Sequence, residues 1–573
     1  MNREPEDLPV IVSIRTKRPG KNTIPAAERN LLADRREDEV KQGAILRAQA
    51  LRIFYFMKRP LPFREYDAQT AGPQYLEDLA TGYWFSEVLF AAVEMDLFSL
   101  VTPDGATVDE LSRALDAKPH GLMRFLHALE KMGLVTSDGP RYFNTKLSDA
   151  YLVCGKELYQ GDSILWRKYL YPGWQGMEDC LKEGGRVDYA AQDSPAARSS
   201  RIQKYIHAMD GIAKVKAREL VTFFADRPVT GEILDVGAGS GAIAAAFLDH
   251  FPLASAAFLD LPDVLDCTRQ FVAQRGFDSR TRYCPANILK PWQVRKQSFD
   301  LVILSNILHA YSEKELPHIL RSAAACLSGR GILLIHDFFL EHWPEKAALS
   351  DLNMFINTHN GRVFPGKSVR EQLRSLGLFC TDLVPLATDT AVLFGAHEES
   401  GLGSLRLDAT DLLVSRILAQ GFGNVYRMRT EEIHIPDWAD LRCRFGCERY
   451  GDPHCPPNSP SPGKTREMVK DYKKALLLEG EPPARDFQVR VLQAERAAFK
   501  AGFHKAFSFW AGPCSLCESC VGNGRCTNTA NARPSMEGAG IDVFETARNA
   551  GAALKTLGQK DEFVKYFALL LLE

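Results

Sequence analysis

The stretch Ile233-Leu234-Asp235-Val236-Gly237-Ala238-Gly239-Ser240-Gly241 decides the fold of the central part of this 573-residue chain. An apolar segment with strand character runs directly into a glycine-rich turn, and residues 242–248 continue with helical character. Glycines let the backbone turn sharply and approach a ligand closely, and the start of a helix offers free N–H groups. This strand–loop–helix unit predicts a nucleotide-binding α/β domain.

The residues around the glycine loop narrow the choice of ligand. The spacing Gly237-x-Gly239-x-x-Ala242 also satisfies the dinucleotide fingerprint. Asp260 ends the next predicted strand, where a carboxylate accepts hydrogen bonds from ribose hydroxyls. Asp235 stands immediately before the glycines, where its charge would repel a pyrophosphate and suit a cationic group. An amino acid joined to adenosine meets both conditions, so we expect S-adenosylmethionine.

Strand-like and helical segments alternate from residue 231 to residue 396. The strand-like segments are 232–236, 256–260, 301–304, 331–336 and a late one at 391–396. This alternation predicts an α/β fold, a Rossmann-like doubly wound parallel sheet. Residues 398–404 read as a linker to the rest of the chain.

A helical unit precedes this sheet. Residues 76–100 form one long helical stretch that is apolar on most sides, and Thr107 with Glu110 predicts a capped helix start. A helical repeat over 122–132 ends at Gly133, and a hairpin follows. Helices followed by a hairpin describe a winged helix. Because it lacks a basic stripe, we expect it to serve dimerisation rather than nucleic-acid binding.

The bulk composition excludes several classes of protein. The net charge is −2 and 45% of the residues are hydrophobic, which is ordinary for a soluble globular protein and gives no general attraction to nucleic acid or anionic membrane. No apolar run approaches the roughly 18 residues of a membrane-spanning helix. The N-terminus shows no secretory signal. We therefore expect a cytoplasmic protein with no membrane partner.

Residues from about 75 to 398 resemble the class I S-adenosylmethionine-dependent O-methyltransferases of the small-molecule type. Three motifs carry the resemblance: Leu234-Asp235-Val236-Gly237-Ala238-Gly239-Ser240-Gly241, Phe258-Leu259-Asp260-Leu261-Pro262 and Ser305-Asn306-Ile307-Leu308-His309-Ala310-Tyr311-Ser312. The resemblance implies a winged-helix dimerisation domain before a Rossmann-like domain, a homodimer and a small-molecule acceptor.

The resemblance also implies the site residues. His309 occupies the position of the general base. The residues implied to bind the cofactor are Tyr205, Met209, Asp235, Gly237, Gly239, Gly241, Asp260, Leu261, Asn287 and Ser305. Among them, Asp235 and the glycines would border the methionine end, Asp260 the ribose and Asn287 the adenine.

The surroundings of His309 depart from the family pattern at two positions. Ala310 follows the histidine where the family commonly has aspartate, and Gly361 falls where it often has an orienting glutamate. Asp337 and Asp351 are the candidates for a replacement, and the sequence leaves both open. Five further residues predict a partly aromatic or apolar acceptor pocket: Trp166, Trp174, Met354, Asn357 and His359.

Seven of the thirteen cysteines lie in the last third of the chain. Cys514, Cys517, Cys520 and Cys526 have the spacing C-x2-C-x2-C-x5-C. This is closer to the bacterial ferredoxin run than to the separated pairs of zinc sites, so it favours a [4Fe-4S] cluster, with zinc as the alternative metal. Residues 405–573 resemble a poorly characterised family of cysteine-rich domains thought to bind metals.

Cys443, Cys447 and Cys455 form a second group with the spacing C-x3-C-x7-C. Three thiolates can hold a cubane cluster and leave one iron open, or His454 supplies a fourth ligand. In the alternative interpretation these cysteines complete the first site or simply pack. One cluster is therefore expected, and two are possible.

The leading hypothesis is an O-methyltransferase with an appended iron–sulfur domain. The alternative is reductive cleavage of the sulfonium by a cluster with an open iron, which needs an electron donor. A redox- and cofactor-sensing regulator is the third hypothesis. The predicted divisions are an arm and helix at 1–73, the winged helix at 74–180, the Rossmann-like domain at 181–400 and the cysteine-rich α+β domain at 405–573.

Overall fold

The computed structural model describes residues 72–187, 194–518, 520, 525–556 and 564–573. The predicted N-terminal arm lies outside them. The helices are α1 Pro73–Ala80, α2 Tyr83–Glu94, α3 Leu97–Leu100, α4 Val108–Ala114, α5 Pro119–Lys131, α6 Lys146–Tyr151, α7 Gly161–Gln175, α8 Met177–Glu183, α9 Pro195–Thr222, α10 Ala242–His250, α11 Pro262–Ala273, α12 Leu316–Cys326, α13 Pro344–Asn357, α14 Gly366–Ser375, α15 Glu399–Gly403, α16 Ala409–Leu418, α17 Leu441–Gly446, α18 Pro462–Val469, α19 Ala484–Lys500 and α20 Val543–Asn549.

The strands form three sheets. They are β1 Ala106–Thr107, β2 Val135–Asp138, β3 Arg141–Asn144, β4 Glu232–Val236, β5 Ser255–Asp260, β6 Thr281–Pro285, β7 Phe299–Ser305, β8 Leu327–Asp337, β9 Phe379–Cys380, β10 Val384–Pro385, β11 Ala391–Ala396, β12 Asn424–Arg429, β13 Lys474–Gly480, β14 Phe507–Phe509 and β15 Tyr566–Leu571. A small sheet in the order β1-β3-β2 belongs to the N-terminal helical unit. The predicted hairpin is its β2–β3 pair.

The helix predicted over residues 76–100 is wrong as one element. The chain forms α1, α2 and α3 there, with breaks at Thr81-Gly82 and at Asp96, whose φ is 50°. A left-handed residue cannot continue a helix, and the apolar composition concealed both breaks. Leu76, Leu79 and Trp84 on α1 and α2 are exposed. The capping box of Thr107 and Glu110 is present as predicted.

The central sheet has the strand order β10-β11-β8-β7-β4-β5-β6, with β9 pairing with β11. Strands β4 to β8 are parallel to their neighbours, as predicted, but β11 runs antiparallel to β8. The sheet is therefore mixed rather than wholly parallel. Both of its faces are covered: Ile233 and Leu234 are each fully buried, in separate apolar layers on opposite faces.

The C-terminal module is built on an antiparallel sheet in the order β12-β13-β15-β14. The helices α16 and α19 pack against its apolar face through residues such as Leu413 and Phe487. The predicted linker at 398–404 is wrong, since it forms α15, and Arg227 donates to the Gly401 carbonyl at 2.9 Å. Leu402 in this segment joins the core of the central sheet domain.

Ion pairs join the module to the central domain. Asp382 forms an ion pair with Arg370 of α14 at 2.8 Å and another with Arg416 of α16. Arg406 holds Asp226 in a bidentate pair at 2.8 and 2.6 Å.

None of the described helices is both long and apolar enough to cross a membrane.

Candidate active site

The glycine loop at the end of β4 has the geometry that its sequence predicts. Gly237, Gly239 and Gly241 all have positive φ, at 67°, 57° and 77°, a region that favours glycine. A Cβ atom at Gly237 would lie 2.6 Å from the Ile307 side chain, whereas one at Gly239 would meet nothing within 4 Å. The loop therefore turns tightly against the end of β7 and leaves open space above Gly239.

Two aspartates flank this loop. Asp260, at the end of β5, accepts the Gly239 N–H at 3.0 Å and the Leu261 N–H at 2.7 Å. Asp235 is only 2% exposed, and burial raises its pKa to about 7. The nearest donor to its carboxylate is the Ala244 N–H at 3.4 Å. A buried carboxylate with so little hydrogen bonding is stabilised in its ionised form by a cation beside it.

Aromatic side chains form a wall beside Asp260. Tyr205 of α9 is 41% exposed, and its ring lies 5.3 Å from that of Trp166 on α7. Burial, with Asp260 adding to it, raises the pKa of Tyr205. Tyr311 lies in the same wall, and burial with Asp260 nearby raises its pKa to about 12. The sequence motif contains Tyr311, but its role was missed.

The other predicted cofactor residues occupy the same end of the sheet. Met209 is half-buried on α9, and Leu261 is exposed at the start of α11. Ser305 ends β7, and its Oγ lies 2.8 Å from His336 Nδ1. Asn287 is exposed two residues beyond β6, where its Oδ1 accepts the Leu289 N–H at 2.9 Å.

His309 follows β7 and is oriented by Asp337 at the end of β8. Its Nδ1 lies 2.5 Å from Asp337 Oδ1, and the two side chains are 14% and 2% exposed. Asp337 Oδ2 also accepts the Leu308 N–H at 2.9 Å, and Oδ1 the Phe338 N–H at 2.8 Å. Burial acts to raise the pKa of Asp337, but the charge and hydrogen bond of His309, together with the Phe338 N–H and His336, lower it overall. Asp337 therefore supplies the orienting carboxylate.

The structure also explains why no acid stands at position 361. A Cβ atom at Gly361 would lie 2.5 Å from the His309 carbonyl and 2.6 Å from Thr358 Oγ1. The backbone of the histidine occupies the space that a side chain would need. Asp351, the other candidate, accepts the Val363 N–H at 2.7 Å. This contact is with the backbone beyond Gly361 rather than with the imidazole.

Asn306 is a site residue that the sequence analysis missed. It follows Ser305 with a φ of 52°, and its backbone N–H donates to the His336 carbonyl at 2.7 Å. Its Oδ1 is buried, and no described residue offers it a hydrogen bond. A buried amide oxygen without a partner, between the glycine loop and His309, fits a ligand that carries donor groups.

A buried polar network lies under the base. His336 on β8 hydrogen bonds Ser305 through Nδ1 and Thr390 Oγ1 through Nε2, at 2.8 Å each. Lys216 on α9 donates to Thr390 Oγ1 at 2.9 Å and to Asp389 at 3.2 Å. Burial, with Lys216 adding to it, lowers the pKa of His336 to about 3. His336 therefore stays neutral and serves the packing of this end of the sheet.

Comparison with known protein families identifies the domains in this part of the chain. Residues 185–377 match the O-methyltransferase domain, and residues 77–154 match the O-methyltransferase dimerisation domain. Over these residues the chain belongs to the S-adenosylmethionine-dependent O-methyltransferase family. The methyltransferase fold inferred from the glycine loop is thereby confirmed.

Known methyltransferases align with about half of the chain. A 3-hydroxy-5-methyl-1-naphthoate 3-O-methyltransferase from Streptomyces sahachiroi is 28% identical, covering 53% of this chain and 89% of its own length. Acetylserotonin O-methyltransferase from Bos taurus is 27% identical, covering 52% and 90%. The crystal structure of an O-methyltransferase from Nostoc punctiforme superposes with a TM-score of 0.50 at 21% identity, covering 57% of this chain and 99% of that one. This last match shows the fold.

Seven of the thirteen cysteines lie in the C-terminal module, in two groups. Burial raises the pKa of Cys455 to about 11, with Asp452 and then Cys447 and Cys443 adding to it. Around Cys514 the other thiols of its group act in the same direction. Cys443 and Cys447 thus lie within electrostatic range of Cys455, and Cys517, Cys520 and Cys526 lie within range of Cys514. Ser519 and residues 521–524, which lie between Cys514 and Cys526, are outside the described residues.

Two observations bear on metal binding by these groups. His454 Nε2 is buried, and no part of the chain that the structure describes offers it a hydrogen bond. Glu537 Oε2 accepts the N–H of Gly512, two residues before Cys514, at 3.4 Å. Burial, then Cys447 and then Glu537 raise the pKa of Cys443. Within the described ranges, no three histidine, cysteine or acidic side chains converge closely enough to hold a metal ion.

The module matches a family described as predicted metal-binding proteins (DUF2284) over residues 426–572. The chain is therefore an O-methyltransferase-family protein with an appended predicted metal-binding domain. The other six cysteines lie before residue 400, and among them Cys154 is exposed.

Proposed function

We propose that this protein methylates a hydroxyl group of a small, partly aromatic acceptor, with His309 as the general base. The observation that carries the proposal is the hydrogen-bonded pair of His309 and Asp337, located between the glycine loop and the aromatic cleft wall. A histidine held in this way has the two features that a base needs, a fixed orientation and a free second nitrogen.

The base acts through Nε2. Asp337 accepts the Nδ1–H, which fixes the tautomer and leaves the Nε2 lone pair to take the acceptor proton. S-adenosylmethionine supplies an electrophilic methyl group when bound, and its sulfur keeps the electron pair of the broken C–S bond. As the proton arrives on His309, the buried carboxylate of Asp337 stabilises the imidazolium. Positioning of the acceptor oxygen in line with the methyl group supplies a large part of the rate.

The predicted cofactor residues take distinct roles in this proposal. Asp235 faces the cationic methionine end, and Asn306 Oδ1 accepts from the cofactor's donor groups. Asp260 uses the lone pairs not taken by Gly239 and Leu261 to bind the ribose hydroxyls. Tyr205 and Tyr311 close the side of the cleft next to Asp260. The remaining proposed contacts come from Met209, Leu261, Asn287 and Ser305.

The names of the relatives support an aromatic acceptor. One relative is named for a hydroxynaphthoate and another for acetylserotonin. In this chain, Trp166 lies against Tyr205, and Trp174 on the same helix donates to Asn353 of α13 at 3.1 Å. Helices α7 and α13 border the space above His309 with apolar and aromatic side chains. Such a surface suits a flat acceptor.

We further propose that the functional unit is a homodimer. Leu76, Leu79, Tyr83, Trp84 and Phe85 on α1 and α2 are exposed. An apolar patch of this kind marks an interaction surface. It belongs to the segment that matches the dimerisation domain.

The C-terminal module is proposed to hold one [4Fe-4S] cluster on Cys514, Cys517, Cys520 and Cys526. Cys443, Cys447 and Cys455 form the second candidate site, where the orphaned Nε2 of His454 fits the fourth ligand. An iron–sulfur cluster stores and passes single electrons when bound. Zinc remains the alternative metal for thiolates at these positions.

Reductive cleavage of the sulfonium is the weaker alternative. A histidine without an orienting carboxylate would favour it, but Asp337 supplies His309 with that carboxylate. The proposed function is tested by incubating the protein with methyl-labelled S-adenosylmethionine and a panel of hydroxyaryl compounds. Labelled methyl ether and an equal amount of S-adenosylhomocysteine support it. Cofactor binding without transfer to any hydroxyaryl acceptor contradicts it.

A further inference from the structure

Helix α19 carries two buried polar side chains on the face that it turns toward the core of the C-terminal module. Gln488 and Glu495 are seven residues apart, which is two turns, and both lie among apolar residues of the helix. Cys514 and Cys526 are half-buried against the same apolar layer. A buried polar side chain is unfavourable unless hydrogen bonds satisfy it, so the partners of these two residues indicate their role.

Gln488 directs its whole amide to the backbone around Cys514. Its Nε2 donates to the Pro513 carbonyl at 2.9 Å and to the Ala511 carbonyl at 3.3 Å. Its Oε1 accepts the Ser515 N–H at 2.8 Å. The side chain is 0% exposed, so these bonds form away from solvent. One side chain therefore fixes the peptide groups on both sides of this cysteine.

The residues that lead into Cys514 are also fixed to the sheet side of the module. Strand β14 ends at Phe509, and the Trp510 N–H donates to the Pro534 carbonyl at 3.2 Å. The Met536 N–H donates back to the Trp510 carbonyl at 2.9 Å. The backbone before the cysteine is thus held by the chain on one side and by Gln488 on the other.

A chain of hydrogen bonds connects the same helix to Cys526. Arg496 of α19 donates to Asn531 Oδ1 at 2.7 Å, and Asn531 Nδ2 donates to Asn528 Oδ1 at 2.8 Å. The Asn528 N–H in turn donates to Cys526 Sγ at 3.3 Å. A donor directed at the sulfur favours the thiolate, which is the form that binds metals.

Glu495 fixes the segment that follows Cys526. Its Oε1 pairs with Arg533 at 2.5 Å, and its Oε2 accepts the Ser508 N–H of β14 at 2.8 Å. The segments on either side of the cysteine group are therefore both attached to α19.

We infer that α19 is the platform that positions Cys514 and Cys526 for metal binding, with Gln488 as the positioning residue of Cys514 and Asn531 as that of Cys526. Both roles rest on the proposed metal site. Gln488 acts through the backbone, because its amide is fully occupied by residues 511–515. Ligands held in place in this way bind a metal more tightly, since less of the chain must be ordered on binding.

Metal retention tests these roles. Iron or zinc bound to the anaerobically purified protein is measured by elemental analysis during exposure to EDTA. Gln488→Leu should lose the metal about 10- to 100-fold faster than the wild type. Asn531→Ala should accelerate the loss less, because it leaves the backbone around Cys514 in place. Gln493→Leu is the matched control, since Gln493 is on the same helix and exposed, and it should lose metal at the wild-type rate.

Two further readouts separate positioning from damage to the fold. In the Cys447→Ala background only the group that includes Cys514 can hold metal, and the acceleration by Gln488→Leu should persist there. Asn531 is half-buried, so the metal-free Asn531→Ala protein should unfold thermally like the metal-free wild type.

Metal loss at the wild-type rate in both Gln488→Leu and Asn531→Ala overturns the inference and leaves the proposed metal site intact. If Gln488→Leu does not fold, the rate in Asn531→Ala decides. Metal that is fully retained in Cys517→Ala, or a wild-type protein without metal, contradicts the proposed site itself and the inference with it.

Discussion

Asp337 Oδ1 lies 2.5 Å from His309 Nδ1, although 28 residues separate the two in the chain. The parallel pairing of β7 with β8, which sets Ser305 opposite His336, brings them together at the end of the sheet. The family's usual acid at position 361 is excluded by the His309 backbone. One aspartate on the neighbouring strand therefore does the orienting that the sequence appeared to lack.

Asp337→Asn is predicted to lower kcat while leaving S-adenosylmethionine binding unchanged. The amide would favour the wrong imidazole tautomer and would no longer stabilise the imidazolium. We expect a loss on the order of 10²- to 10⁴-fold, the usual contribution of a general base. Steady-state kinetics with the acceptor identified from the panel and calorimetry with the cofactor measure the two effects.

Asp351→Asn is the control for this prediction, because Asp351 accepts a backbone N–H at 2.7 Å within the same region. It should change kcat far less than Asp337→Asn. A larger loss in Asp351→Asn than in Asp337→Asn would show that Asp351, and not Asp337, orients His309.

Binding of S-adenosylmethionine is predicted to weaken below neutral pH through Asp235. Burial raises the pKa of this carboxyl to about 7, and a cationic ligand favours its ionised form. Below that pH a proton must leave before the ligand binds, so the Kd should rise by up to about tenfold for each pH unit. Calorimetry in buffers of different ionisation enthalpy should show proton release on binding near pH 6. In Asp235→Asn both effects should disappear; their persistence would place the titrating group elsewhere.

His336 is predicted to make the fold less stable in mild acid. Its pKa is about 3 in the folded chain, against an ordinary value of 6.5. Between these values the unfolded chain binds a proton that the folded chain does not, so the free energy of unfolding falls as the pH is lowered from 6.5 toward 3. From pH 6.5 to pH 5 the loss is about 2 kcal/mol. Urea denaturation of the wild type and of His336→Gln should show a flatter pH dependence in the variant, and equal slopes would refute the assignment.

Trp84→Glu is predicted to convert a homodimer into a monomer. The substitution places a charge within the exposed apolar patch of α1 and α2, and desolvating it at an interface is unfavourable. Light scattering coupled to size exclusion measures the mass. Phe499→Glu, an exposed aromatic residue in the C-terminal module, is the matched control and should remain dimeric. A wild-type monomer, or a dimeric Trp84→Glu protein, would contradict the assignment of the patch.

Anaerobically purified protein is predicted to contain about four iron and four sulfide ions per occupied cysteine group. Cys517→Ala should abolish the contribution of the group Cys514, Cys517, Cys520 and Cys526, and Cys447→Ala that of the group Cys443, Cys447 and Cys455. Cys154→Ala, at an exposed cysteine outside both groups, should leave the metal content unchanged. Zinc without sulfide would instead identify a structural zinc site.

Local motifs carried most of the sequence-based prediction. The glycine loop, Asp260 and the capping box each depend on residues within a few positions of one another, so spacing alone reveals them. The breaks around α2 and the helix α15 were missed because composition does not report a left-handed residue such as Asp96 or the packing of Leu402.

Features assembled from distant elements could not be predicted in the same way. The partner of His309 depends on the register between β7 and β8, which the sequence does not display. Tyr311 and Asn306 lie inside a recognised motif, yet only the burial of their polar atoms indicates a role.

The fate of S-adenosylmethionine tests the central claim most directly. The anaerobically purified protein is incubated with the cofactor, a low-potential reductant and the hydroxyaryl panel, and the adenosyl products are identified by mass spectrometry. Polar methyl transfer by His309 and Asp337 predicts S-adenosylhomocysteine, formed only with an acceptor and independently of the reductant. Formation of 5′-deoxyadenosine or methylthioadenosine that depends on the reductant would contradict it.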